Sequence, residues 1–126
     1  MTSSIESYQD LTKLVQAILI QYAEKKQKDR IEDYYIKIHE NFYSLKTKYP
    51  TCFRRLLFNT NGHFPYSDDL DSIIQDLQIA GYVSKPNPRF SELIIRREES
   101  AFEFLKKNHM EIEEEFLDEI TNHLSL

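Results

Sequence analysis

The first 49 residues contain neither glycine nor proline, the two residues that most often interrupt a helix. Within this stretch, apolar side chains recur every three or four residues, the period of one face of an α-helix. The first such stripe consists of Tyr8, Leu11, Val15, Ile18 and Tyr22. The second consists of Ile31, Tyr35, Ile38, Phe42, Leu45 and Tyr49. We therefore predict two amphipathic helices, separated by a polar segment and ended by Pro50, whose apolar faces cover either the chain's own core or a partner.

Glycine and proline stay scarce in the whole chain, with two and four copies in 126 residues. So few turn residues argue against a many-stranded β-sandwich and for a mainly α fold with a small β-hairpin. Eight tyrosines and eight phenylalanines supply core material and argue against disorder. The length fits one domain over residues 1–126, comprising an N-terminal helix (1–30), a core (31–96) and a C-terminal acidic helix (97–126).

The strongest local signal for a helix lies in the segment just before Gly81. Ser67 is a favourable N-cap, and the three aspartates in the next four residues suit the positive end of the helix dipole. Gly81 stands where a helix commonly ends, so a helix is predicted over about residues 67–80. Two strands, 82–84 and 90–96, are predicted to pair as a hairpin with the prolines at its tip.

Two further helices are predicted on either side of these elements. Residues 51–58 are interpreted as a short helix of about two turns. The last helix is predicted to run without a break from about residues 97–100 to 124. Its apolar stripe includes His109, which is interpreted as a packed, hydrogen-bonded core histidine.

This order of helix, short helix, helix and hairpin is similar to that of winged helix-turn-helix domains. The matching pattern for the third helix and the entry to the wing is formed by Leu70, Ile73, Ile74, Leu77, Gly81, Tyr82 and Val83. The resemblance covers about residues 31–96 and implies a winged-helix-like core flanked by N- and C-terminal helices. In dimeric members such flanking helices often form the dimer interface, so the resemblance also implies a homodimer as one assembly.

Charge is distributed unevenly along the chain. Residues 1–66 carry a balance of +3, whereas residues 67–126 carry −8. Under the resemblance, residues 67–80 form the recognition helix, yet no lysine or arginine occurs from Leu56 to Ser84. DNA binding through this helix is disfavoured because phosphate contacts come mainly from cations. The alternative stays open, with a backbone grip supplied by Arg54, Arg55, Lys85, Arg89, Arg96 and Arg97.

Many winged-helix domains bind protein instead, as do the small winged-helix subunits of SMC-type complexes. In that mode the recognition helix and the wing form the docking surface, with exposed aromatic and aliphatic side chains as anchors. The partner-binding candidates are Tyr66, Asp71, Gln75, Gln78, Ile79, Tyr82 and Phe90. For Tyr66, Ile79, Tyr82 and Phe90 the alternative interpretation is ordinary core packing.

No catalytic, cofactor-binding or metal-binding residues are predicted. His109 and Glu113 are four residues apart on the predicted last helix, but zinc needs three or four ligands. Cys52 is interpreted as a buried small hydrophobe rather than a nucleophile. A single cysteine also predicts a reducing compartment, and no apolar run approaches the roughly 20 residues of a membrane span.

The sequence therefore predicts a non-enzymatic, cytoplasmic, winged-helix-like protein-binding module that needs no cofactor and has no membrane partner. It would act as a homodimer or as a small subunit of a protein assembly. The first alternative is a dimeric winged-helix transcription regulator that binds DNA. The second is a small acidic inhibitor or DNA mimic of the bacterial or phage type, for which a net charge of −5 is weak.

Overall fold

The computed structural model describes residues 7–86, 91–96 and 99–126. The elements within them are α1 (Tyr8–Lys26), β1 (Arg30–Ile31), α2 (Tyr34–Lys48), α3 (Asp68–Ile79), β2 (Val83–Ser84), β3 (Leu93–Ile95), α4 (Ala101–Lys107) and α5 (Glu114–Asn122). The predicted fold class, mainly α with a small hairpin, is confirmed. The hairpin belongs to a three-stranded antiparallel sheet, because β1 joins it.

Helix α1 is the centre of the fold. Every side chain from Leu14 to Ala23 is buried, including the two glutamines Gln16 and Gln21. The helix packs against α3, α4, α5 and strand β3. A helix that is covered on all sides lies in a protein core, so the first apolar stripe serves the chain's own interior.

The sheet has the strand order β1-β3-β2. Ile31 pairs with Leu93, and Val83 pairs with Ile95. The predicted start of the second helix at Ile31 is therefore wrong, because Ile31 is fully buried in β1 and α2 begins three residues later. Gln27 and Asp33 turn the chain on either side of β1, both with a φ near +50°.

The predicted short helix over residues 51–58 is also wrong. This segment forms successive turns and then a stretch without regular secondary structure. Phe53 and Leu56 reach the core and are fully buried, while Arg54 and Arg55 between them are exposed. Two buried anchors three residues apart need only one turn, and Lys46 Nζ caps it by donating to the Leu56 carbonyl at 2.7 Å.

The prediction of one continuous last helix is wrong, because the chain breaks between α4 and α5. His109 adopts a φ of 58°, and its N–H donates to the Lys106 carbonyl at 3.1 Å. The N–H of Met110 donates to the Leu105 carbonyl at 2.9 Å. These two bonds form the Schellman motif that ends helices. His109 is consequently exposed, and its interpretation as a packed core histidine is wrong.

Candidate functional site

Two buried hydrogen bonds at Ser67 hold the start of helix α3. The Ser67 hydroxyl accepts from the Leu70 N–H at 3.1 Å, which confirms the predicted N-cap. The Ser67 N–H donates to His39 Nδ1 of α2, also at 3.1 Å. Both residues are buried, so His39 fixes the point at which α3 leaves the loop. The sequence did not single out His39 for this role, because the two partners are 28 residues apart and no local pattern joins them.

The solvent side of α3 and of the turn that follows it is called the α3 surface below. Its members are Asp68, Asp71, Ser72, Gln75, Asp76, Gln78, Ile79 and Tyr82. All are exposed except Asp71, which is half-buried. The opposite side of the helix buries Leu70, Ile73, Ile74 and Leu77, as the predicted stripe requires. The structure thus brings five predicted partner-binding residues onto one face: Asp71, Gln75, Gln78, Ile79 and Tyr82.

The aspartates of α3 accept hydrogen bonds from neutral donors. The Leu57 N–H donates to Asp69 Oδ2 at 2.9 Å, and the Tyr8 hydroxyl donates to Asp76 Oδ2 at 3.0 Å. Burial, together with Asp76, raises the pKa of Tyr8 to about 12, so this phenol stays uncharged. Asp71 accepts from Gln75 Nε2 at 3.3 Å. None of these three donors carries a positive charge, so the hydrogen bonds bring no cation next to the aspartates.

An aromatic cluster formed by Tyr35, His39, Phe64 and Tyr66 supports the first turn of α3. The His39 and Tyr66 rings stack with their centroids 4.7 Å apart, and Tyr35 lies 5.0 Å from His39. A hydrogen bond with Tyr35 and burial raise the pKa of Tyr66. The Tyr66 hydroxyl also donates to Asp71 Oδ2 at 3.4 Å. Tyr66 is therefore half-buried and held by these contacts, whereas Gln75, Gln78 and Ile79 of α3 are exposed.

The end of α3 is the apolar part of the α3 surface. Gly81 has a φ of 86°, and the Tyr82 N–H donates to the Leu77 carbonyl at 2.9 Å, so a Schellman motif ends the helix as the glycine predicted. Ile79 is 85% exposed, the most exposed large hydrophobic side chain of the described residues. Tyr82 is 39% exposed and packs edge-on against Phe104, with ring centroids 6.2 Å apart. The apolar part of the α3 surface thus consists of a highly exposed Ile79 and a partly exposed Tyr82.

The basic side chains that are candidates for contact with a DNA backbone lie in different surroundings. Lys85 Nζ lies 5.5 Å from the centroid of the Tyr34 ring, a cation–π distance. Arg96 lines a cavity with Gln16 of α1 and Lys107 of α4. Arg54 and Arg55 are exposed in the turns after α2. The other two cations, Arg89 and Arg97, and the partner-binding candidate Phe90 lie outside the described residues.

The side chains considered for chemistry do not assemble a reactive centre. His109 and Glu113 are not on one helix, because the chain breaks between α4 and α5. No group of three histidine, cysteine or acidic residues that could hold a metal occurs in the part of the chain that the structure describes. Burial raises the pKa of the Cys52 thiol to about 11, which leaves little thiolate near neutral pH.

No protein-family profile, curated protein or solved structure matches this chain. Over residues 7–86, 91–96 and 99–126, no helix is both long enough and apolar enough to cross a bilayer.

Proposed function

We propose that this protein is a winged-helix-like protein-binding module that docks through the α3 surface as a small subunit of a protein assembly. One observation carries the proposal: a solvent face with several aspartates and no lysine or arginine ends on Ile79, whose side chain is 85% exposed. The order of α2, α3 and the antiparallel pair β2–β3 supports the winged-helix part, whereas turns over residues 51–58 stand where the short second helix was predicted. An apolar anchor beside charged residues is typical of protein interfaces.

The electrostatics of α3 disfavour nucleic acid. A helix in a DNA groove lies between two rows of phosphates, and cations supply most of its affinity. Here the α3 surface offers Asp68, Asp71 and Asp76, which repel phosphates. The same charges favour a protein partner with a basic rim, and Ile79 favours an apolar pocket within that rim.

The proposed partner is a different protein rather than a second copy. Two α3 surfaces placed face to face would oppose aspartates to aspartates, which is unfavourable. The apolar stripe of α1 is not available for self-association, because α3, α4 and α5 of the same chain cover it. The homodimer therefore becomes an outcome to be tested by sedimentation equilibrium of the isolated protein.

The test compares two exposed aliphatic side chains on different parts of the molecule. Ile79→Asp places a charge at the proposed anchor, whereas Leu57→Asp makes the same type of change at a residue that is 66% exposed outside α3. The partner is first co-purified with the wild-type protein from the cells that encode it, identified, and produced in pure form. The dissociation constants of both variants are then measured by calorimetry.

We expect Ile79→Asp to weaken the complex by about tenfold or more, because burying an isoleucine contributes about 1.5–3 kcal/mol. Leu57→Asp should bind like wild type. Affinity should also fall as salt is raised, since the rim is held by charge. Equal affinities for Ile79→Asp and wild type would contradict the proposal, as would a stable homodimer that Ile79→Asp dissociates.

A further inference from the structure

A partly enclosed cavity of about 390 Å³ lies between α1, the turn after α3, the end of β3 and α4. Its lining includes Gln16 and Ile20 of α1 and Tyr82 of the turn, and Arg96, Glu99 and Lys107 carry its charges. A volume of this size falls within the range of small-molecule sites, which span about 300–1,000 Å³. The cavity is separate from the aspartates of the α3 surface and touches that surface only at Tyr82.

A buried amide nitrogen without a hydrogen-bond partner distinguishes this cavity from an ordinary surface depression. Gln16 is 96% buried, with a relative exposure of 4%, and its Nε2 has no hydrogen-bond partner. Buried polar groups in folded proteins are almost always hydrogen-bonded, so an amide that lacks a partner calls for one. The Gln16 NH₂ group is a donor, and it therefore suits an acceptor oxygen.

The charged side chains around the cavity favour an acceptor that carries a negative charge. Glu99 pairs with Lys107 at 4.0 Å, which offsets the charge of the lysine. No carboxylate of the described residues pairs with Arg96, so its guanidinium is available. Arginine forms strong hydrogen bonds with carboxylates, and Ile20 and the Tyr82 ring supply an apolar wall beside it.

We propose that this cavity binds a small organic carboxylate whose oxygens accept from Gln16 Nε2 and the Arg96 guanidinium and whose apolar part lies against Ile20 and Tyr82. The site makes no use of the aspartates of α3 or of Ile79, and among the described residues it shares only Tyr82 with the α3 surface. Its test accordingly needs no protein partner.

Benzoate is the probe, followed by calorimetry and by the NMR signals of the Gln16 side-chain amide. Wild-type protein should bind benzoate saturably with a dissociation constant of about 1 mM or tighter, with a shift of both Gln16 amide protons. Benzyl alcohol, which lacks the charge, and inorganic phosphate, which lacks the apolar part, should each bind at least about tenfold more weakly. No saturable benzoate binding, or equal binding of either comparison compound, overturns the proposal.

Two variants with the same change of charge locate the site. Arg96→Gln should weaken benzoate binding about tenfold, whereas Arg54→Gln, an exposed arginine outside the cavity, should leave it within about twofold. Gln16→Leu should also weaken binding and should not destabilise the ligand-free protein in urea, because the buried Nε2 that it removes has no hydrogen-bond partner. Equal losses in Arg96→Gln and Arg54→Gln would show general charge attraction and overturn the site. Loss of stability in Gln16→Leu would show an internal partner for the amide and also count against it.

Discussion

Replacement of His39 by leucine tests how the fold holds the start of α3. His39 is 2% exposed, and its Nδ1 accepts from the buried Ser67 N–H at 3.1 Å. His39→Leu keeps an apolar group of similar size but leaves that N–H without an acceptor, which costs about 1–3 kcal/mol. The lost stacking with Tyr66 adds about 0.5–1.5 kcal/mol. We therefore expect the free energy of unfolding to fall by about 2–4 kcal/mol in urea denaturation.

The same residue should make stability depend on pH. Burial lowers the pKa of His39, and this effect exceeds the opposing attraction of Asp71 and Asp68. Below about pH 6.5, the ordinary histidine pKa, the unfolded chain takes up a proton that folded His39 does not. The unfolded state then binds more protons, so stability falls as the pH falls, by at most about 1.4 kcal/mol per pH unit, until the lowered folded pKa is reached.

The assay is urea denaturation of the wild type, His39→Leu and the control His63→Leu at several pH values between 7 and 5. His63 is exposed in the loop before α3, so its replacement should change neither stability nor its pH dependence. His39→Leu should be less stable at pH 7 and should lose the histidine part of the slope. The reasoning is refuted if His39→Leu is as stable as the control, or if its slope over this range equals that of the wild type.

Three further changes test other parts of the fold. Gly81→Ala should destabilise the protein by about 1–2 kcal/mol in urea, because a Cβ meets no atom within 4 Å but the φ of 86° is unfavourable for alanine; an unchanged midpoint would refute the role given to the turn. Tyr22→Phe removes a buried hydroxyl that accepts from the Leu126 N–H at 3.2 Å and donates to its carbonyl at 2.8 Å, so unfolding should become easier by about 1–3 kcal/mol, and amide exchange at Leu126 should speed up. Alkylation of Cys52 by iodoacetamide at pH 8 should be at least about 100-fold slower in the folded protein than in urea, since burial raises its pKa to about 11; equal rates would contradict the burial.

Local signals in the sequence were sufficient for α3 and insufficient for three other breaks. Ser67 and Gly81 mark the ends of α3 because an N-cap and a left-handed C-terminal residue have typical side chains. The chain also turns through positive φ at Gln27, Asp33 and His109. Aspartate and histidine are enriched at positive φ, but only a few per cent of non-glycine residues adopt it, so these residues gave too weak a signal for β1 and for the division between α4 and α5.

Long-range contacts explain why the candidate site was only partly predictable. The exposed and buried faces of α3 follow from its own 3.6-residue period, which the sequence displays. The start of α3 is fixed by His39 of α2, and the cavity beside Gln16 forms where α1 and α4 meet the turn after α3. A pattern within one helix cannot reveal such contacts, because they join residues that are far apart in the chain.

Titration of a labelled DNA duplex of about 20 base pairs, at about 50 mM and 200 mM salt, tests most directly whether the sign of charge on the α3 surface excludes nucleic acid. Fluorescence anisotropy should show no saturable binding at the lower salt concentration, for the wild type and for Arg55→Glu alike. Saturable binding that weakens steeply at the higher salt concentration and is lost in Arg55→Glu would contradict the account and identify a DNA-binding regulator.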